Sequence, residues 1–131
     1  MADAADRKMR VLVVDDANLV RLYYRGILEG RGYEVDEAFN GLEALEKLLA
    51  APADLLVVDV NMPQMDGVAF LKALRREDSP ISSIPALVTS TESGAQDFAA
   101  ARDAGANAYL VKPVSREMLA EYAGLLCGMP G

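Results

Sequence analysis

Four short apolar runs constrain this chain more than any other feature. "RVLVV", residues 10 to 14, runs into Asp15 and Asp16. "DLLVVDV", residues 54 to 60, carries Asp59 near its end. "ALVTS" closes on Thr89 and Ser90, and "AYLV" is followed by Lys112 and Pro113. Runs this short and apolar read as strands buried on both faces, the habit of a parallel sheet with layers on each side. Each also ends on a residue that a buried strand gains nothing from burying.

The segments between the runs have helical periodicity. Val20, Tyr23, Tyr24, Ile27 and Leu28 recur at helical spacing, with Gly30 and Gly32 as stops. "YEVDEA" is a short, partly alternating strand, and Gly41, Ala44, Leu45 and Leu48 mark a second helix closed before Pro52. Asp66 is placed to cap a third helix through about Arg76. "REDSPISSIP" reads as a polar loop with two prolines. An alanine-rich helix runs from about Ser93 to Ala104 and ends at Gly105; Ser115 caps a last helix that ends near Gly128. Strand and helix alternate five times, which predicts an α/β domain with a mostly parallel sheet and helices on both faces. The expected organisation is a polar segment over residues 1–8, one domain over 9–128 and a short tail over 129–131. Initiator Met1 and the "GMPG" ending suit a whole short protein, while an excised piece of a longer protein is the alternative.

In a parallel sheet the C-terminal strand ends share one edge, and ligands bind where strand order reverses. If the first and third strands are neighbours, Asp15, Asp16 and Asp59 meet in one crevice beside Ser90 and Lys112. Two carboxylates about 4 Å apart repel by roughly 4 kcal/mol at an effective dielectric near 20. Protonation or a hard cation relieves this, and an oxygen-only set with few protein ligands suits Mg²⁺. A carboxylate beside such a cation and a lysine can also attack phosphorus and become an aspartyl phosphate.

Composition narrows the chemistry further. The 131 residues contain no histidine, which removes histidine acid/base catalysis, histidine metal sites and phosphorylation of this chain on histidine. A net charge of −7 argues against nucleic acid or anionic membrane as the main partner. The single Cys127 fits a reducing compartment and reads as an inert, half-buried residue. With no signal-peptide pattern and no run of transmembrane length, the expected location is the cytoplasm.

"VVDD", "VVDVNMPQMDG", "ALVTST" and "YLVKP", in that order, resemble the receiver domain of two-component response regulators over about residues 8 to 127. The resemblance implies a flavodoxin-like, doubly wound five-stranded sheet in the order 2-1-3-4-5. It implies Asp59 as phosphoacceptor, with Mg²⁺ held by the side chains of Asp16 and Asp59 and the backbone carbonyl of Asn61, and by Asp15 through a water. Lys112 pairs with Asp59 and then with the phosphoryl group. Ser90 hydrogen-bonds a phosphoryl oxygen, and Tyr109 turns inward as Ser90 is drawn toward it. The Lys112–Pro113 peptide is expected to be cis. A stand-alone, chemotaxis-type regulator is implied, with a histidine kinase as phosphodonor. Asn61 and Glu92 are implied to tune dephosphorylation. The expected target surface is a protein-binding face of the fourth helix, fifth strand and fifth helix, where Phe98, Tyr109 and Tyr122 are candidates. The expected state is a monomer that binds neither nucleic acid nor membrane and is no enzyme beyond its own phosphorylation and dephosphorylation.

Simpler readings compete. Asp15 and Asp16 also suit a helix N-cap and its dipole. In "TST" Thr89 is an alternative to Ser90, and Thr91 stands where the family usually has a smaller residue, which would narrow access for a donor or for water. Tyr109, Phe98 and Tyr122 also suit half-buried structural roles. A phosphatase or phosphomutase needs a second acid two residues beyond its aspartate, where this chain has Asn61. A flavin-binding module on the same fold needs a phosphate loop after the first strand, which is missing.

Overall fold

A computed structural model describes residues 8–63 and 65–128. Five parallel strands form its centre: β1 (Arg10–Val14), β2 (Glu34–Ala38), β3 (Leu55–Asp59), β4 (Ala86–Ser90) and β5 (Ala108–Val111). Their order is β2-β1-β3-β4-β5, so strand order reverses between β1 and β3. This is the doubly wound arrangement expected from the sequence. β3 and β4 are buried at every position, and β1 at all but its first residue, because helices cover both faces.

The covering helices are α1 (Asn18–Gly30), α2 (Gly41–Ala50), α3 (Gly67–Leu74), α4 (Ala95–Ala104) and α5 (Arg116–Cys127). Strand alternation divides the core in two. Val11, Val13, Leu55, Val57 and Leu87 meet Tyr24, Ile27 and Leu28 of α1 and Leu119 and Ala123 of α5. Leu12, Val14, Leu56, Val58, Ala86 and Val88 meet Leu48 of α2, Phe70 and Leu74 of α3 and Ala101 of α4. Burying each such Leu or Phe side chain is worth roughly 1.5–3 kcal/mol.

Several boundaries differ from the sequence reading for identifiable reasons. Helix α3 stops at Leu74, and the side chain of its C-cap, Arg75, bonds the carbonyls of Gly105, Ser82 and Ile84. Helix α4 begins at Ala95, with the N–H of Gly94 donating to the Asp97 carboxylate. The proline loop contains a 3₁₀ turn over Ile81–Ser83. Neither Asp15 nor Asp16 is the N-cap of α1; Ala17 is, without a side-chain bond. Asp66, by contrast, caps α3 by accepting from the Ala69 N–H at 2.8 Å. Residues 1–7 and 129–131, most of the two terminal segments, lie outside the described residues. No helix among the described residues is long and apolar enough to cross a membrane.

Candidate functional site

The β1–β3 register pairs Val14 with Val58, so Asp15 and Asp59 leave adjacent strands side by side. By alternation both belong to the α1/α5 face, in phase with Val13 and Val57. Asp15 and Asp59 are buried, at 1% and 5% exposure, while Asp16 is exposed. One carboxylate oxygen from each of the three lies within 4.8 Å of the others. Lys112, at the end of β5, reaches across: its Nζ is 3.0 Å from Asp15 Oδ2 and 3.1 Å from Asp59 Oδ1. The Lys112–Pro113 peptide is cis, as is Ser79–Pro80.

The electrostatics follow from this packing. Burial pushes the Asp59 pKa up and the Asp15 charge adds to the rise, while the Lys112 ammonium and the backbone N–H of Asn61 work against it. Burial opposes the charge on Lys112, but hydrogen bonds and charges from Asp15 and Asp59 outweigh it, so its pKa stands above the ordinary lysine value. One ammonium among three carboxylates leaves a net negative pocket of hard oxygen donors, which fits Mg²⁺. Asp15, Asp16 and Asp59 each offer one carboxylate oxygen that could hold it. Asn61 sits on the exposed turn after β3.

A pH dependence follows. The fold holds the Asp59 proton more tightly than the unfolded chain does. The stabilisation from this group is therefore complete below the ordinary carboxylate pKa and is lost as pH rises through the raised value. In Mg²⁺-free buffer, Asp59→Asn is expected to melt several degrees above wild type near pH 7, with the gap closing toward about pH 4. Thermal melts of both proteins across that range check this; a variant that melts lower at neutral pH contradicts it.

The first two hydroxyls of "TST", those of Thr89 and Ser90, separate onto opposite faces. Both are fully buried. Thr89 pairs in register with Asp59 and shares its face; Ser90 faces the α4 side with Val88. Ser90 Oγ accepts from the Glu92 N–H at 3.0 Å, and the Glu92 carbonyl accepts from the Tyr109 hydroxyl at 2.9 Å. Glu92 thus links Ser90 to Tyr109. The Tyr109 ring meets Phe98 edge-on, centroids 4.6 Å apart, while Tyr122 of α5 packs against the opposite core. Phe98 is 42% exposed. Cys127 is half-buried, and burial pushes its thiol up to about 11, which leaves it unreactive near neutrality.

Three contributors were not singled out as site residues from the sequence. Gly67, the first residue of α3, has no room for a side chain: a Cβ would stand 2.5 Å from the Asp59 carbonyl oxygen. The "DG" ahead of an apolar helix was the available signal. Arg21 donates to the Asp15 carbonyl at 2.6 Å and to Glu37 at 2.9 Å, anchoring the end of β1. Tyr24, read only as an apolar helix position, is 2% exposed. It helps to line a cleft of about 410 Å³ between α1 and the loops carrying Thr91, Lys112 and Val114.

A doubly wound α/β domain with an acidic, lysine-bridged pocket at its strand-order reversal is thus what fold and site define. The chain belongs to the response regulator receiver domain family, the phosphorylation-activated switches of two-component signal transduction, whose profile matches residues 11–123. It is 40% identical to chemotaxis protein CheY1 of Helicobacter pylori, over 92% of this chain and 98% of that one. It is also 40% identical to response regulator MprA of Mycobacterium avium, over 90% of this chain but 51% of MprA. Among solved structures, the chemotaxis response regulator CheY4 of Vibrio cholerae superposes with a TM-score of 0.86 at 36% identity, covering 92% of this chain and 99% of that one.

Proposed function

We propose that Asp59 accepts a phosphoryl group from a histidine kinase, and that the acyl phosphate alters a surface which a protein target reads. The observation that carries this reading is Lys112 Nζ set between Asp15 and Asp59 where three carboxylates converge. In transfer, an Asp59 carboxylate oxygen forms a bond to phosphorus as the P–N bond of the donor phosphoimidazole breaks. The electron pair goes to the departing nitrogen. The donor imidazole must come from a partner, because this chain has no histidine. When bound, Mg²⁺ supplies charge stabilisation for the phosphoryl oxygens. Lys112 contributes a second positive charge, released from Asp15 as the phosphoryl group arrives. Arg21 fixes the Asp15 backbone, and Thr91 borders the cleft beside Lys112, where its bulk slows access.

The switch reading rests on Ser90. Its hydroxyl accepts from Glu92 and is free to donate to a phosphoryl oxygen. Movement of Ser90 toward that oxygen pulls on Glu92, which in turn holds the Tyr109 hydroxyl. The partner surface then comprises Phe98, Tyr109 and Tyr122. Asn61 and Glu92, both exposed beside the site, tune the loss of the phosphoryl group. The protein works as a cytoplasmic monomer, in chemotaxis or a related pathway, without binding nucleic acid or membrane and without turning over small substrates.

A carboxyl acceptor makes a chemical prediction that separates it from the neighbouring hydroxyls. Phosphoryl groups taken up from acetyl phosphate with Mg²⁺ are expected to be released by neutral hydroxylamine, leaving a hydroxamate on Asp59. A label that survives hydroxylamine would place it on a serine or threonine and overturn the reading.

A further inference from the structure

Among the described residues, one buried side-chain polar atom makes no hydrogen bond: Oγ1 of Thr89. Thr89 is 0% exposed and is the register partner of Asp59, so both side chains project to the α1/α5 side of the same sheet edge. Its register partner on the other strand is Leu110, two residues before Lys112. An orphan hydroxyl buried beside the reacting carboxylate is costly in the resting state and calls for a physical reason. The buried Tyr24 hydroxyl is the adjoining polar group on this side. Burial foremost raises its pKa, and the charges of Lys112, Asp15 and Asp59 act on it; Thr89 is its close polar neighbour, but the two hydroxyls do not reach hydrogen-bond geometry. Tyr24 and Lys112 also line the same cleft.

We propose that the Thr89 and Tyr24 hydroxyls are positioning groups for the phosphorylated state. They gain well-formed hydrogen bonds when Lys112 leaves Asp15 for the phosphoryl group, and so favour that state over the resting one. The inference rests on Asp59 being the phosphoacceptor and adds two residues that act through Lys112. Ser90 serves the phosphoryl group from the opposite face; Thr89 and Tyr24 serve the lysine. The resting state holds Lys112 on two carboxylates and leaves Thr89 unsatisfied, and a state that satisfies it is selected by that difference alone.

The test uses beryllofluoride with Mg²⁺ as a stable phosphoryl mimic, with affinity read by fluorine NMR titration. Thr89→Val, which keeps the shape and removes the hydroxyl, is expected to bind about five-fold more weakly. Thr89→Ser is expected to restore wild-type affinity, and Tyr24→Phe to weaken binding in the same direction. The resting Thr89→Val protein is expected to melt no lower than wild type, since it loses an unpaired hydroxyl. Unchanged affinity in Thr89→Val or in Tyr24→Phe overturns the assignment of that hydroxyl. A lower melting temperature in Thr89→Val, with no rescue by Thr89→Ser, reduces the site to packing and overturns the proposal. If wild type binds no beryllofluoride, or Asp59→Asn binds it equally, the phosphoacceptor reading itself fails and this inference falls with it.

Discussion

Lys112→Met is expected to cost about 3 kcal/mol of stability at pH 7 in Mg²⁺-free buffer, the usual scale for removing one partner of a buried ion pair. Lys112 Nζ lies within 3.1 Å of both Asp15 and Asp59, whose side chains are 2% and 6% exposed. Without the ammonium, two nearly buried carboxylates face one another with nothing to offset them. Two conditions are expected to return part of the loss. Acidification protonates Asp59, whose pKa burial already pushes up and which the loss of Lys112 frees to rise further. Added Mg²⁺ replaces the missing positive charge and binds only the folded state, which stabilises it by linkage. Chemical denaturation at pH 5 and pH 7, with and without Mg²⁺, measures all of this. A variant as stable as wild type at pH 7 without Mg²⁺ would mean that the two acids are not coupled through the lysine.

Gly67→Ala is expected to lower stability by about 2–3 kcal/mol, the scale of forced overpacking, or roughly 10 °C in Tm for a domain of this size. The added Cβ meets backbone rather than a side chain that can swing away: 2.5 Å to the Asp59 carbonyl oxygen and 2.9 Å to Val60 Cα. The Gly67 N–H also bonds the Val60 carbonyl at 3.0 Å, which pins the start of α3 to the end of β3. Relief requires α3 to withdraw or Asp59 to move, and either displaces the carboxylate that the site depends on. Mg²⁺ affinity is therefore expected to fall along with stability. Calorimetric titration and thermal melts check the two effects; a variant with wild-type melting and Mg²⁺ affinity would show that the close approach is not needed.

The main features of this site were legible because strand ends are a topological signal. Asp15, Asp16, Asp59, Ser90 and Lys112 each follow an apolar run, and a parallel sheet brings such positions to one edge whatever the details of packing. β2 was less clear, since Asp36 and Glu37 serve ion pairs with Lys47 and with Arg21 and Arg25 at the sheet edge rather than a buried core. The ends of α3 and α4 were misplaced by two residues or less. Arg75 and Asp97 each make contacts there that no periodicity encodes. Side-chain facing was hardest to read. Thr89 and Ser90 are adjacent in sequence and equally buried, yet one step along a strand puts them on opposite faces. Tyr24 looks like any other apolar helix position until the fold sets it in the cleft that Lys112 also lines.

Intact mass after incubation with Mg²⁺ and acetyl phosphate, run in parallel on wild type and Asp59→Asn, tests the central claim most directly. Wild type is expected to gain a single phosphoryl group and the variant none. Equal gain by both proteins would show that Asp59 is not the acceptor.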